Sequence, residues 1–296
     1  MPPAPLVVCF GEMLWDILPD GLFPGGAPFN VGYHLKQLGL RPHLATAVGR
    51  DLLGDELLRR LKNWRMDTLG VARHTGLPTG YVRAHLAPSG DASYEIATEV
   101  AWDQIATGED TLRAVVEARA LVFGSLALRS TFNRAALERL LPALPPNAAR
   151  VFDVNLRKPH DDLVLVHEMA RKATILKMNS DEAARLAGST NTNADEANAR
   201  TLAERSGCNF ICITAAERGA GVLHHGVWHW ESGRAVDVVD TIGSGDAFLA
   251  ALLSQHLCGA SVPDALTFAC RIGEWVATQR GPTPNYSTAP KPTLVP

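Results

Sequence analysis

No apolar run in this sequence approaches the ~20 residues that a helical membrane span needs, which excludes an integral helical membrane protein. Cysteine is scarce. Cys9, Cys208, Cys212, Cys258 and Cys270 make an odd count with no C-x-x-C, so a disulfide scaffold is excluded and free buried thiols in a reducing cytosol are expected. The ten histidines include no H-E-x-x-H pair. His224, His225 and His229 fall on strand-like sequence, where surface or packing roles are commoner than metal ligation. Basic charge is thin as well: the formal net charge is −3, and the densest cluster, Arg59-Arg60 with Lys62 and Arg65, has the spacing of a solvated helix face. Nucleic acid and membrane surfaces are therefore not expected partners. The opening MPPAPLVVCF has no basic start and too short an apolar stretch for a secretory signal, so the expected location is the cytoplasm. The first apolar run leads into GEMLWD rather than G-x-G-x-x-G, which excludes a nicotinamide-dependent oxidoreductase.

What is present is an ordinary globular composition, 46% hydrophobic and 20% charged over 296 residues, long enough to bury a sizeable core. Short apolar runs alternate with amphipathic stretches. Strands are predicted over Leu6–Phe10, Leu44–Val48, Ala120–Phe123, Arg150–Val154, Thr174–Met178 and Phe210–Thr214, mostly as unbroken runs suited to a parallel sheet covered on both faces. Helices are predicted over Pro28–Leu38, Leu52–Trp64 (capped by Asp51), Thr111–Ala118, Thr131–Leu141, Leu163–Lys172, Glu182–Leu186, Ala194–Ser206, Ala247–Leu257 and Pro263–Arg280. The alternation predicts an α/β fold: a doubly wound, mainly parallel sheet with helices on both faces. Two regions break it. Residues 12–27 hold Pro and Gly turns. Residues 71–100 read as a hairpin, Thr79–Ala87 and Ser93–Thr98 around the turn Pro88-Ser89-Gly90-Asp91, suited to a lid or a subunit contact. The proline-rich tail after Gly281 reads as extended surface chain. No linker divides residues 1–296 into independent domains.

The most informative stretch is Asp240–Ala250, DTIGSGDAFLA. A β-type run, Ala235–Val239, leads into Thr-Ile-Gly-Ser-Gly, then an aspartate, then an apolar helix. Gly243 and Gly245 permit a tight turn and close approach of a ligand to the backbone. The first amides of the following helix point unpaired into that turn at the positive end of the helix dipole, which makes an anion site. Asp246 sits at its edge. Donors for a moving phosphoryl group and a base for an attacking hydroxyl are the two parts that phosphoryl transfer needs. Taken alone, the stretch is equally a plain glycine turn before a helix.

A second constellation follows the first strand. Asp16 lies just past its carboxyl end, Gly25-Gly26 gives a flexible point, and Asn30 opens a helix. An aspartate and an asparagine can hold neighbouring hydroxyls as acceptor and donor. In order along the chain stand GGAPFNVGYHLKQLG (from Gly25), FDVNLR (from Phe152), KMNSDE (from Lys177) and DTIGSGDAFLAALL (from Asp240). With all four, the chain resembles the ribokinase/PfkB family of sugar kinases from about residue 6 to about residue 284. That resemblance implies a single ribokinase-like domain over 1–296, with a small β-sheet lid formed by segments about 12–27 and 71–100. It implies Asp246 as catalytic base, with the backbone of Gly243, Ser244 and Gly245 receiving the phosphoryl group of ATP. It implies that Asp16, Gly26 and Asn30 hold sugar hydroxyls, and that Asn179 and Glu182 organise phosphate and Mg²⁺ through water. Thr214 and Gly219 belong to the nucleotide side. Asp240 is implied in a monovalent-cation (K⁺) site, and the lid in a homodimer contact. Arg157 is either a substrate or phosphate donor or a surface arginine after a strand.

The chain departs from the family pattern in three places. Ala216 stands for the first glycine of T-x-G-x-x-G, Cys270 for an asparagine common near the adenine, and Gly-Ser-Gly-Asp for Gly-Ala-Gly-Asp. The first two bear on nucleotide affinity. Sugar-acid kinases of the family, acting on 2-keto-3-deoxygluconate, bring a Tyr-Arg pair after the second lid strand. Here that place holds Ala97-Thr98, which favours a neutral sugar, although Arg83 or His85 on the other lid strand could substitute. Fructose is the first choice, with ribose and the keto acid as alternatives. Tyr81 and Tyr94 offer little of the aromatic clamp a nucleoside would want. The rival from another class is a non-catalytic sugar- or nucleotide-binding regulator on the same fold.

Overall fold

The computed structural model describes residues 3–18, 21–86 and 92–291. The predicted turn Pro88–Asp91 lies outside them. In chain order the elements are β1 (Leu6–Phe10), β2 (Leu14–Leu18), β3 (Gly21–Gly25), α1 (Ala27–Gln37), β4 (Arg41–Gly49), α2 (Leu52–Asn63), β5 (Val71–His74), β6 (Tyr81–Leu86), β7 (Ala92–Ile96), α3 (Glu109–Glu117), β8 (Ala120–Gly124), α4 (Thr131–Leu140), β9 (Ala149–Asp153), α5 (Leu163–Lys172), β10 (Ile175–Asn179), α6 (Ser180–Ala187), α7 (Asp195–Ser206), β11 (Phe210–Thr214), β12 (Gly219–His224), β13 (Val227–Ser232), α8 (Ser244–His256) and α9 (Val262–Ala277).

Among the described residues, nine strands form one sheet in the order β13-β12-β11-β10-β9-β8-β1-β4-β5. It is parallel from β11 to β5, and β12 and β13 close it antiparallel. The unbroken apolar strands follow from burial on both faces. In β1, Val7 and Cys9 enter the core beneath α1, α2, α8 and α9, whereas Val8 and Phe10 enter the core beneath α3 to α7. Helix α8 is apolar on all sides because it is buried on all sides, and Ala247 to Leu253 are at most 4% exposed. From β1 the chain winds one way to β4 and β5, then returns through β8 to the other half. The crevice beyond the carboxyl ends of β1 and β8 is therefore the topological switch point, where open α/β sheets bind ligands.

A separate sheet, β3-β2-β6-β7, comes from the segment 12–27 and from the later part of 71–100, whose first residues form β5 in the main sheet; β2 pairs with β6 in parallel and β6 with β7 antiparallel. The Pro and Gly residues of 12–27 fit strands because this is a narrow sheet with β3 at its edge. The expected cap of α2 is present: Asp51 accepts from the Gly54 amide at 2.8 Å, and it also accepts from the amide and hydroxyl of Thr79, each at 2.7 Å. Among the described residues no helix is long and apolar enough to cross a membrane. Cys258 is exposed and the other four cysteines are buried and free.

Two expectations fail. Ala235–Val239 is not a strand. The amides of Val239 and Asp240 donate to the Ala277 carbonyl at the end of α9, so the segment has no ladder to join, and β13 remains the edge of the sheet. Nor is the tail free surface chain. Pro282 and Pro284 are buried, Tyr33 donates to the Pro284 carbonyl at 2.7 Å, and the Tyr286 hydroxyl lies 2.7 Å from His34 Nδ1. Proline there fixes a chain packed against α1 and α9. Trp275 meets the Tyr286 ring edge-on at 4.9 Å. Burial holds the His34 imidazole neutral, pushing its pKa down to about 3, so its ring depends on this hydroxyl. Tyr286→Ala removes both contacts, and urea unfolding should show a loss of about 2–3 kcal/mol.

Candidate active site

The start of α8 is held from three directions. Gly243 caps it at φ +77°, a left-handed conformation suited to glycine, and a Cβ there would come within 2.8 Å of Pro282 Cα. Asp240 Oδ1 accepts from the Ile242 amide at 2.9 Å, and Oδ2 accepts from the Gly281 amide at 3.2 Å. Ser244 Oγ donates to the Thr241 carbonyl at 2.8 Å. The Gly245 and Asp246 amides belong to the first turn, where no intrahelical acceptor exists, so they face the crevice as open donors. Asp246 lies in that turn. Its Oδ2 accepts from Asn30 Nδ2 at 2.8 Å, which joins the starts of α8 and α1.

The other wall is acidic. Gly26 adopts φ +106°, and a Cβ on it would sit 2.4 Å from the Glu12 carbonyl oxygen; one on Gly25 would sit 1.9 Å from Asp16 Oδ2. Both glycines are thus fixed by contact with the residues beside the predicted sugar site. Glu12 is buried, and its Oε1 accepts from the Ala27 amide at 3.2 Å. Its Oε2 and Asn30 Oδ1 are buried without a protein partner, two acceptors facing no donor. Burial, then the Asp153 charge, pushes Asp246 up to about 6, against the pull of Lys177, Asn30 and Arg157. Burial followed by the Asp246 charge pushes Asp16 up to about 7, and burial pushes Glu12 up to about 7. Arg157 is exposed, yet its guanidinium lowers all three, so it faces this cluster.

Asn179 and Glu182 form a capping box at the start of α6: the Glu182 amide donates to Asn179 Oδ1 at 2.8 Å and the Asn179 amide to Glu182 Oε2 at 2.9 Å. Glu182 Oε1 also accepts from the Leu156 amide at 2.7 Å, which fixes the loop carrying Arg157. Thr214 ends β11 beside Asn179, and Gly219 begins β12 at φ +119°. A Cβ on Gly219 would lie 2.0 Å from the Glu231 carbonyl oxygen, so this glycine has a steric reason of its own. Ala216 adopts φ +50°, the left-handed region that a glycine fills more easily. Among the described residues no group of three or more His, Cys, Asp or Glu is arranged to hold a metal ion.

The structure thus gathers Asp16, Gly26, Asn30, Arg157, Gly243, Ser244, Gly245 and Asp246 around one crevice, with Asn179, Thr214 and Gly219 on adjoining strand ends. Sequence reasoning missed Glu12, Asp153 and Lys177. Lys177 Nζ lies 3.1 Å from both Asp153 oxygens, and both residues are buried. A signal was available: a lysine stands inside the apolar strand ILKMN and an aspartate ends the strand ARVFD.

A carboxyl raised to about 6 at the start of a helix is an arrangement suited to phosphoryl transfer. The family model for the pfkB family carbohydrate kinases matches residues 20–289, and the chain belongs to that family. A putative sugar kinase of Pyrococcus horikoshii is 26% identical over 265 residues, covering 84% of this chain and 81% of the relative. Fructokinase-2 of Solanum habrochaites is 27% identical over 310 residues, covering 96% and 94%. Among solved structures, a fructokinase from Vibrio cholerae O395 superposes with a TM-score of 0.82 at 22% identity, covering 95% of each chain.

Two outcomes follow. Ala216→Gly should raise stability by about 0.5–1 kcal/mol in urea unfolding, as relief of the left-handed alanine outweighs the added freedom of the unfolded chain. Asp16 has a folded pKa of about 7 against 3.8 for the free group, so its ionisation opposes folding. Its contribution is most favourable below pH 4 and is lost as pH rises through about 7. Thermal melts should therefore show Asp16→Asn gaining stability over wild type from pH 5 to pH 8.

Proposed function

We propose that this carbohydrate kinase transfers the γ-phosphoryl group of ATP to a primary hydroxyl of a neutral sugar, with fructose as the substrate. The observation that carries the proposal is the Asn30–Asp246 hydrogen bond, which sets a hydroxyl-binding side chain and a base beside the open amides of α8. The sugar hydroxyl attacks the γ-phosphorus, the bond to the bridging β,γ-oxygen breaks, ADP leaves with that electron pair, and the hydroxyl proton passes to Asp246. The Gly245 and Asp246 amides receive the charge on the moving group. Asp16, Gly26 and Asn30 orient the sugar, and the unpartnered Glu12 Oε2 and Asn30 Oδ1 are acceptors for its hydroxyls.

The electrostatics support a neutral acceptor. Four carboxylates, Glu12, Asp16, Asp240 and Asp246, influence one another here, and Arg157 is the cation acting on the sugar side. Burial and mutual repulsion already drive Glu12, Asp16 and Asp246 toward protonation, and the carboxylate of a sugar acid would add to that repulsion. Arg83, on the small sheet, stacks over Tyr81 at 5.4 Å. Neighbouring solved structures support the reading: the Pyrococcus horikoshii sugar kinase was solved with ATP, and the Vibrio cholerae fructokinase with fructose, ADP and calcium.

The donor set suits a Mg²⁺ that arrives with the nucleotide, since such an ion keeps several waters and takes few protein oxygens. Bound there, Mg²⁺ would supply neutralising positive charge to the nucleotide phosphates. Glu182, whose two oxygens each hold one backbone amide, would help hold it through water. Asp240 likewise retains one lone pair on each oxygen for a monovalent cation such as K⁺. The small sheet closes over the sugar to exclude water, which would otherwise accept the phosphoryl group.

ADP release with Mg²⁺-ATP over fructose, ribose, 2-keto-3-deoxygluconate and adenosine tests the reading. Turnover with fructose should fall about 10³-fold or more in Asp246→Asn. Turnover confined to the keto acid would overturn the neutral-sugar assignment. Sugar binding without turnover would instead mark a regulator.

A further inference from the structure

We infer that Lys177 is a further catalytic residue, whose ammonium meets the phosphoryl group in transit from beneath the first turn of α8, and that Asp153 is its positioning residue. The inference rests on the phosphoryl-transfer reading above and deepens it. Lys177 and Asp153 are register partners on the adjacent parallel strands β10 and β9, so their side chains leave the sheet together. Lys177 is 7% exposed and Asp153 2%. The ammonium stands only 3.3 Å from where a Cβ on Gly245 would be, at the turn whose amides face the crevice.

This placement has no structural explanation of sufficient weight. A buried ion pair adds little stability over an apolar pair of similar volume, because both charges must leave water. A positive charge beneath a helix start also opposes the dipole of that helix. The two positive features reinforce each other only when an anion sits between them. An ammonium carries three donors, and the two Asp153 contacts leave at least one free. Burial disfavours the charged ammonium, but the charges of Asp153, Asp246 and Glu182 outweigh it and keep the ammonium protonated. Lys177 therefore moves no proton. As the sugar oxygen–phosphorus bond forms and the bond to the ADP oxygen breaks, it balances charge on the equatorial phosphoryl oxygens. Asp153 fixes the side chain and spares it any search among rotamers. Gly245 keeps the space above the ammonium clear of side-chain atoms.

The test compares wild type with Lys177→Gln and with Lys177→Gln/Asp153→Asn, the latter leaving no uncompensated buried carboxylate. Melting curves first establish that each folds. Calorimetry then gives the ratio of ATP to ADP affinity, and steady-state assays give kcat and the sugar KM. The inference predicts that both variants lose about 10-fold or more in affinity for ATP relative to ADP. It also predicts a kcat at least 100-fold lower at a sugar KM within about 3-fold of wild type. If the double variant recovers a wild-type affinity ratio and kcat, the pair serves packing alone and the inference is wrong. Should wild type phosphorylate no sugar at all, the kinase reading fails by itself, while the ATP-to-ADP ratio still decides the case of Lys177.

Discussion

The hydrogen bond from Asn30 to Asp246 spans 216 residues of sequence and lies where two buried helices begin. Much of the architecture serves to make that meeting rigid. Helices α1 and α8 share one core on the same face of the sheet, so their axes are set by packing rather than by the polar pair. Their first turns then converge over the carboxyl ends of the central strands. A carboxylate held this way has a fixed direction, and alignment of reacting groups is a large part of what a phosphotransferase contributes.

Charge in the crevice is arranged so that neither half is comfortable without ligand. One wall gathers carboxylates that burial and mutual repulsion drive toward their protonated forms. The other gathers the start of α8 and the buried Lys177 ammonium. Each half is complementary to what the other lacks: hydroxyl donors for the acidic wall, a polyanion for the basic floor. Glycines allow the close packing of the acidic wall, because a Cβ at Gly25 would collide with Asp16 and one at Gly26 with Glu12.

Much of this was legible in the chain. The strands β1, β8 and β11 declare themselves through unbroken apolar runs, and the glycine turns before α1 and α8 mark the two helix starts that form the site. What failed did so for tertiary reasons. Ala235–Val239 has strand composition, but a strand needs a free ladder, and this segment bonds to the end of α9 instead. The tail looks like exposed chain because proline is rare in cores, yet a fixed φ suits a segment docked against Tyr33 and His34. Strand β5 is four residues long and β12 opens with glycines, so both are weak in sequence and exist through their neighbours. Lys177 and Asp153 stayed hidden because pairing across a sheet depends on register, which no single strand displays. Ala216, by contrast, was visible as a departure from the family glycine pattern, and its positive φ is a backbone shape that glycine adopts more easily.

The docking of the C-terminal segment has a bearing on biosynthesis. The Gly281 amide completes the hold on Asp240, and Pro282 packs on Gly243, so the turn before α8 is braced by residues that follow α9. During translation that brace is made after the sheet and both central helices. The turn before α8 therefore gains its last contacts only once most of the chain around it has been synthesised.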